Sequence, residues 1–152
     1  MPAEIPVLRL SGAGFVLPGP DGRACTDLDT FWRVVRDGAS CLSPYAHPEL
    51  PLRIAGTVNG WDPEADLPMS ERQIRRSSRA GLMATGAVHR ALEHAGLTAA
   101  DLDPERTALV ACSLQFAFPE TERYYNLARD KGVAALGMEY WLNGTPPSVV
   151  GT

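Results

Sequence analysis

Ala91-Leu92-Glu93-His94-Ala95-Gly96-Leu97 and, after a short turn, Thr107-Ala108-Leu109-Val110-Ala111-Cys112 are the two segments on which the fold class turns. The first reads as the end of a helix. Gly96 is placed to cap it, with Leu97 behind for the apolar contact that accompanies such a cap. Thr98 to Asp103 make the turn. Thr107 to Cys112 is a continuous apolar run between Pro104 and Ser113, which suits a strand buried on both faces.

Upstream of Gly96, alanines at 80, 84, 87, 91 and 95 form one small-residue stripe, which permits close approach to a sheet. An arginine-rich polar stretch, Ser70 to Arg79, runs into that helix. Before it, Leu52 to Val58 is a strand candidate, bounded by Pro51 and by the turn-forming Asn59-Gly60-Trp61-Asp62-Pro63. Earlier still, Thr26 or Asp27 caps a helix with Leu28, Phe31, Trp32 and Val35 on one face, and Gly38 stops it. That apolar face calls for a packing partner. Ile5 to Leu10 reads as a short strand, Ser11-Gly12-Ala13-Gly14 as a tight structural turn, and Leu17 to Gly22 as a loop. Strand, helix, strand, helix, strand is an α/β pattern. Past Ser113, Glu120 to Lys131 reads as a helix. Gly132 to Thr152 is broken by Gly144, Pro146 and Pro147 and carries no terminating signal, so the expectation is an interrupted domain.

With 152 residues, 45% hydrophobic and 21% charged, the chain has the composition of one globular core. A formal charge of −4 argues against a generalised nucleic-acid or anionic-membrane surface. No stretch approaches membrane-spanning length, and the start has no basic region of the kind that opens a signal peptide. Cys25, Cys41 and Cys112 are widely spaced and odd in number, which disfavours a disulfide framework and a zinc site and fits a reducing cytoplasm. His47, His89 and His94 lack metal-ligand spacing and read as surface or packing residues. Gly12-Ala13-Gly14 fails as a dinucleotide-binding motif, because the third glycine would fall at Leu17 and Pro18 follows where a helix should begin.

Taken in order, Ser11-Gly12-Ala13-Gly14 with Pro18-Gly19, Phe31-Trp32 with Asp37-Gly38-Ala39-Ser40, and Arg53-Ile54-Ala55-Gly56-Thr57-Val58 resemble the opening of the β-ketoacyl synthases. These are the condensing enzymes of fatty-acid and polyketide synthesis. Trp61-Asp62-Pro63, Arg79, Ala91 to Leu97 and Asp103-Pro104-Glu105-Arg106 continue the series; the ordered set, rather than any single motif, carries the resemblance. It implies an incomplete N-terminal half of a thiolase-like fold, a mixed sheet flanked by helices. On that reading residues 1–152 are a partial ketosynthase N-terminal domain, interrupted before the nucleophile segment.

In this family a cysteine at a helix N-terminus takes the acyl chain as a thioester, and two histidines or close variants assist decarboxylation and stabilise the oxyanion. The resemblance implies that all of these lie beyond the chain, which then has no catalytic residue and no metal of its own. Cys112 stands in a similar Ala-Cys-Ser context. However, it ends an apolar strand, and Phe116, Phe118 and Pro119 do not suit a nucleophile helix, so it reads as a buried structural thiol. Arg72, Arg75, Arg76 and Arg79 are spaced so that several share one side of a helix, a compact positive patch that reads either as solvated surface or, by the resemblance and through Arg72, Arg75 and Arg76, as a dock for the acidic acyl carrier protein, on which phosphopantetheine arrives. Leu114, Phe116 and Phe118 occupy the place of acyl-tunnel residues in the family, and Met138 to Leu142 could line that tunnel at a dimer interface; core packing is the alternative for both. The expected partners are a polypeptide carrying the rest of the ketosynthase, the carrier protein, and a second copy of the assembled unit. A non-catalytic, structural or chain-length-modifying role is the other reading.

Overall fold

The computed structural model describes residues 8–46, 51–110 and 118–137. The first helix, α1 (Leu28–Asp37), runs between the predicted signals. Asp27 Oδ1 accepts the Thr30 N–H at 2.8 Å, and Gly38 closes the helix in the left-handed conformation (φ 63°). Its apolar face is only partly covered. Phe31 meets Phe15 with ring centroids 4.9 Å apart, whereas Trp32 and Val35 remain 64% and 53% exposed.

Ahead of α1, the segment expected to be a loop is a hairpin of β1 (Leu17–Pro18) and β2 (Ala24–Cys25), paired antiparallel with Leu17 opposite Cys25. Asp21 and Gly22 both take positive φ (59° and 73°), the arrangement of a type I′ turn. A second ribbon pairs β3 (Ser43–Pro44) with β4 (Ile54–Ala55). The strand expected over 52–58 is therefore two residues long. Pro44 has no N–H to donate, one backbone bond follows it from Tyr45 N–H to the Arg53 carbonyl at 2.9 Å, and after Ala55 the chain leaves to cross the hairpin, where Ala24 N–H donates to the Asn59 carbonyl at 3.0 Å.

The helical region has three parts: α2 (Pro63–Asp66), α3 (Glu71–Arg76) and α4 (Arg79–Ala95). The sequence suggested one stretch running from Ser70 into the alanine helix, but Ser77 and Ser78 divide it. Ser77 Oγ returns to the Gln73 carbonyl at 2.9 Å, and buried Ser78 accepts the Gly81 N–H at 3.0 Å, so both hydroxyls serve helix ends rather than a helix interior. Gly96 ends α4 in the left-handed conformation (φ 69°), as expected.

The alanine stripe of α4 receives the Gly12 to Gly14 segment at Ala87, Ala91 and Ala95, and no sheet is seen there among the described residues. A Cβ on Gly12 would strike the Ala91 carbonyl oxygen, and one on Gly14 would strike the Ala87 carbonyl oxygen and the Ala91 nitrogen. These glycines are therefore needed for contact and not for the turn that was expected; neither has positive φ. Ala13 N–H is fastened to His94 Nδ1 at 3.0 Å. Next to this contact lies the core of Val16, Trp61, Leu67, Ile74 and Leu82, with Gly86 leaving room for the Trp61 ring.

Thr107 to Val110 forms no strand, contrary to the sequence reading. Leu109 and Val110 are 56% and 89% exposed. A strand buried on both faces needs a neighbour at each edge, and the two ribbons among the described residues offer none. The candidate strand Ile5 to Leu10 lies partly outside the described residues, and Leu8 to Leu10 is unpaired. The predicted downstream helix is present as α5 (Phe118–Lys131), with Tyr124 buried. The described residues thus combine helices with short strands, an α/β content, while the expected mixed sheet is not among them.

Candidate functional site

Arg72, Arg75 and Arg76 stand on α3, one face apart at i, i+3 and i+4, and all three are exposed. The helix that presents them is short but secured at two points. Ser70 and Gln73 form a reciprocal capping box, with Ser70 N–H donating to Gln73 Oε1 at 2.9 Å, and Ile74 on the opposite side enters the core. Arg75 forms an i,i+4 ion pair with Glu71, whereas Arg72 and Arg76 have no ion-pair partner among the described residues. Arg79 does not belong to the patch. It lies past the Ser77–Ser78 break, and its guanidinium donates to the Val58 carbonyl, tying α4 to the crossing segment.

A polar network beside the core was not foreseen. Trp61 Nε1 donates to Asp66 Oδ2 at 2.7 Å, Arg90 Nη2 reaches the same oxygen at 3.2 Å, and Arg90 Nη1 pairs with Glu93 Oε2 at 3.2 Å. A buried indole N–H needs an acceptor, so an aspartate shortly after Trp61 was the available signal. His89 lies 3.5 Å from Glu93, and His94 is the acceptor for Ala13; both serve packing contacts. No group of three or more His, Cys, Asp or Glu among the described residues could hold a metal ion.

Clefts of about 370 and 420 Å³ flank this network. The first includes Phe15, Asp27, Asp29, Arg90 and His94, and the second includes Arg23, Asn59, Trp61 and Asp62. Neither brings a cysteine to a histidine. Cys25 is 3% exposed, and burial, reinforced by the Asp27 carboxylate, pushes its thiol up from the usual range, which disfavours the thiolate a nucleophile requires. Cys112, Leu114 and Phe116 lie outside the described residues, as do Met138 to Leu142 and the side chain of Phe118, whose backbone begins α5. No helix among the described residues is long and apolar enough to cross a membrane.

The arrangement offers a cationic surface on a small α/β framework, with no assembled nucleophile among the described residues. Residues 10–150 match the family described as beta-ketoacyl synthase, N-terminal domain, and the chain belongs to that family. Membership implies a thiolase-like fold. Among proteins that it resembles, it is 35% identical over 95 residues to the one named "Putative polyketide beta-ketoacyl synthase 2" in Streptomyces cyaneus, covering 60% of this chain. It is 35% identical over 81 residues to the protein of the same name in Streptomyces coelicolor, covering 51% of this chain. The matched region spans only 22% and 19% of those two relatives.

Proposed function

We propose that this chain is the N-terminal subunit of a split β-ketoacyl synthase, acting in decarboxylative condensation of carrier-bound acyl thioesters in cytoplasmic polyketide biosynthesis. A partner polypeptide supplies the catalytic cysteine and histidines. The two associate into one thiolase-like unit that dimerises. The observation that carries this reading is the family match over residues 10–150, in a chain whose α1 leaves Trp32 and Val35 uncovered. Apolar surface of that kind is what a protein interface covers. The polyketide assignment draws on the names of the two Streptomyces relatives.

In this reading Arg72, Arg75 and Arg76 dock the acidic acyl carrier protein, whose phosphopantetheine brings the acyl group, so the chain needs no cofactor of its own. Clustered cations steer such an encounter more than they tighten it. Leu114, Phe116 and Phe118 contact the acyl chain. The test is reconstitution. Condensation should require both polypeptides, and Arg75→Glu with Arg76→Glu should weaken carrier binding by the assembled unit in a salt-dependent manner. A partner that condenses equally well without this chain would replace the proposal with a non-catalytic, chain-length-modifying role, and unchanged carrier affinity would remove the docking assignment.

A further inference from the structure

Gly12 and Gly14 lie against the backbone of α4 at Ala87 and Ala91 with no side chain of their own to anchor them. What fixes the segment between them is the Ala13 N–H bond to His94 Nδ1 at 3.0 Å. That bond needs the lone pair on Nδ1, so the ring proton of neutral His94 sits on Nε2. The His94 side chain is exposed, and a proton from solvent reaches it. Beside it opens the cleft of about 370 Å³. The charged groups that line this cleft with His94 are Arg90 and Glu93 from its own helix and Asp27 and Asp29 from the start of α1; Ala13 to Phe15 contribute none. Arg90 is paired with Asp66 and with Glu93, each at 3.2 Å, and Glu93 also lies 3.5 Å from His89. Carboxylates therefore outnumber the one guanidinium around the cleft. The Thr30 backbone N–H holds the Asp27 carboxyl below its ordinary range, so that group stays ionised where histidines titrate.

We infer that His94 is a pH-sensitive latch: neutral, it fastens the Gly12–Gly14 segment to α4, and protonated, it releases the Ala13 amide and turns toward the carboxylates of the cleft. The proton adds at Nδ1, on the lone pair that held the amide. Two N–H donors then face each other, and the bond cannot persist. The sign follows directly. The latch is closed with the ring neutral and opens as pH falls through the range in which histidine takes up a proton. Leu8 to Ser11 are exposed, so no buried side chain in that stretch resists the release. On the other side Phe15 stays against Phe31 and Val16 stays in the core, which confines the movement to the residues before Phe15. Opening uncovers the part of the alanine stripe around Ala91 and Ala95. The latch is independent of the condensing role.

Nuclear magnetic resonance on the full, isotope-labelled chain tests this. The protection of the Ala13 amide, its exchange rate relative to the intrinsic rate at each pH, should fall about fivefold between roughly pH 8 and pH 5, the worth of one hydrogen bond. In the neutral ring the nitrogen shifts should place the proton on Nε2. His94→Asn puts a carbonyl Oδ1 where Nδ1 stood, an acceptor that does not titrate, so Ala13 protection should stay level across the same range. That variant keeps His89 and thereby separates the two histidines. His94→Ala should leave Ala13 poorly protected at both ends. A wild-type protection that does not change with pH, or a neutral His94 with its proton on Nδ1, would overturn the inference. So would a pH dependence that survives in His94→Asn. The wild-type profile and tautomer decide the matter even if a variant fails to fold.

Discussion

Substituting Gly14 by alanine tests the contact that joins the amino-terminal segment to α4. The added methyl group would meet the Ala87 carbonyl oxygen and the Ala91 nitrogen, and would lie 2.7 Å from the Arg90 carbonyl carbon. All three are backbone atoms inside a helix of 17 residues, so they cannot turn aside as a flexible side chain would. The segment must lift instead. Overpacking of this kind costs roughly 1–3 kcal/mol. Lifting also strains the Ala13 N–H bond to His94, worth about 1 kcal/mol, and disturbs the seat of Val16 in the core. Together these come to about 2–4 kcal/mol, a large share of the roughly 5–15 kcal/mol that holds a domain folded. With a urea slope of about 2 kcal/mol/M, the midpoint should fall by about 1–2 M. Urea titration followed by tryptophan fluorescence measures it, since Trp61 sits in the affected core. Gly137→Ala is the matched control, because no heavy atom of the described residues lies within 4 Å of its Cβ position and its φ is not positive. A Gly14→Ala midpoint indistinguishable from that of Gly137→Ala would refute the close-contact argument.

Three further outcomes follow from the same geometry. Asp66→Ala leaves Trp61 Nε1 and Arg90 without their shared acceptor and should cost about 1–3 kcal/mol in urea unfolding, whereas Asp66→Asn, which keeps an acceptor for the indole, should cost less. Asp27→Ala should cost about 1 kcal/mol through loss of the α1 cap. The Thr30 backbone N–H holds the Asp27 carboxyl below its ordinary range, so its contribution is complete above the unfolded-state pKa and fades as pH falls through the lower folded value. The stability difference between wild type and Asp27→Ala should therefore shrink in acid, as thermal melts across that range would record. Trp32→Ser should change the stability of the isolated chain by no more than about 0.5 kcal/mol, since an exposed side chain has little to lose. If α1 forms part of the proposed split-enzyme interface, Trp32→Ser should weaken association with the proposed partner polypeptide, measured by co-purification.

Helix boundaries were the most legible feature because their causes are local. Asp27, Gly38 and Gly96 each act within a few residues, through a single cap or a single left-handed backbone. The Asp21-Gly22 hairpin is equally local, since Asp-Gly is a strong type I′ signal, but the surrounding prolines mask it as a loop. The Ser77–Ser78 break was less accessible, because the same serines read as helical until the Gln73 and Gly81 partners are known. The apolar run at Thr107 shows what composition cannot decide. Its hydrophobicity marks surface to be covered, whereas pairing depends on strands that must come from elsewhere. At the site, the spacing of Arg72, Arg75 and Arg76 was readable, but the diversion of Arg79 to the Val58 carbonyl depended on a contact 21 residues away in sequence.

The Ser77–Ser78 break also separates a charged surface from the packing beneath it. The arginines occupy a helix of their own, held to the body through Ile74 and a capping box, so replacing them alters no buried contact. Their charge can change sign or number while α4, its glycine-lined contact and the Trp61 core stay as they are. Under the proposed docking role, recognition of the carrier can thus drift or be retuned without a toll on folding, and the boundary that permits this is two serines wide.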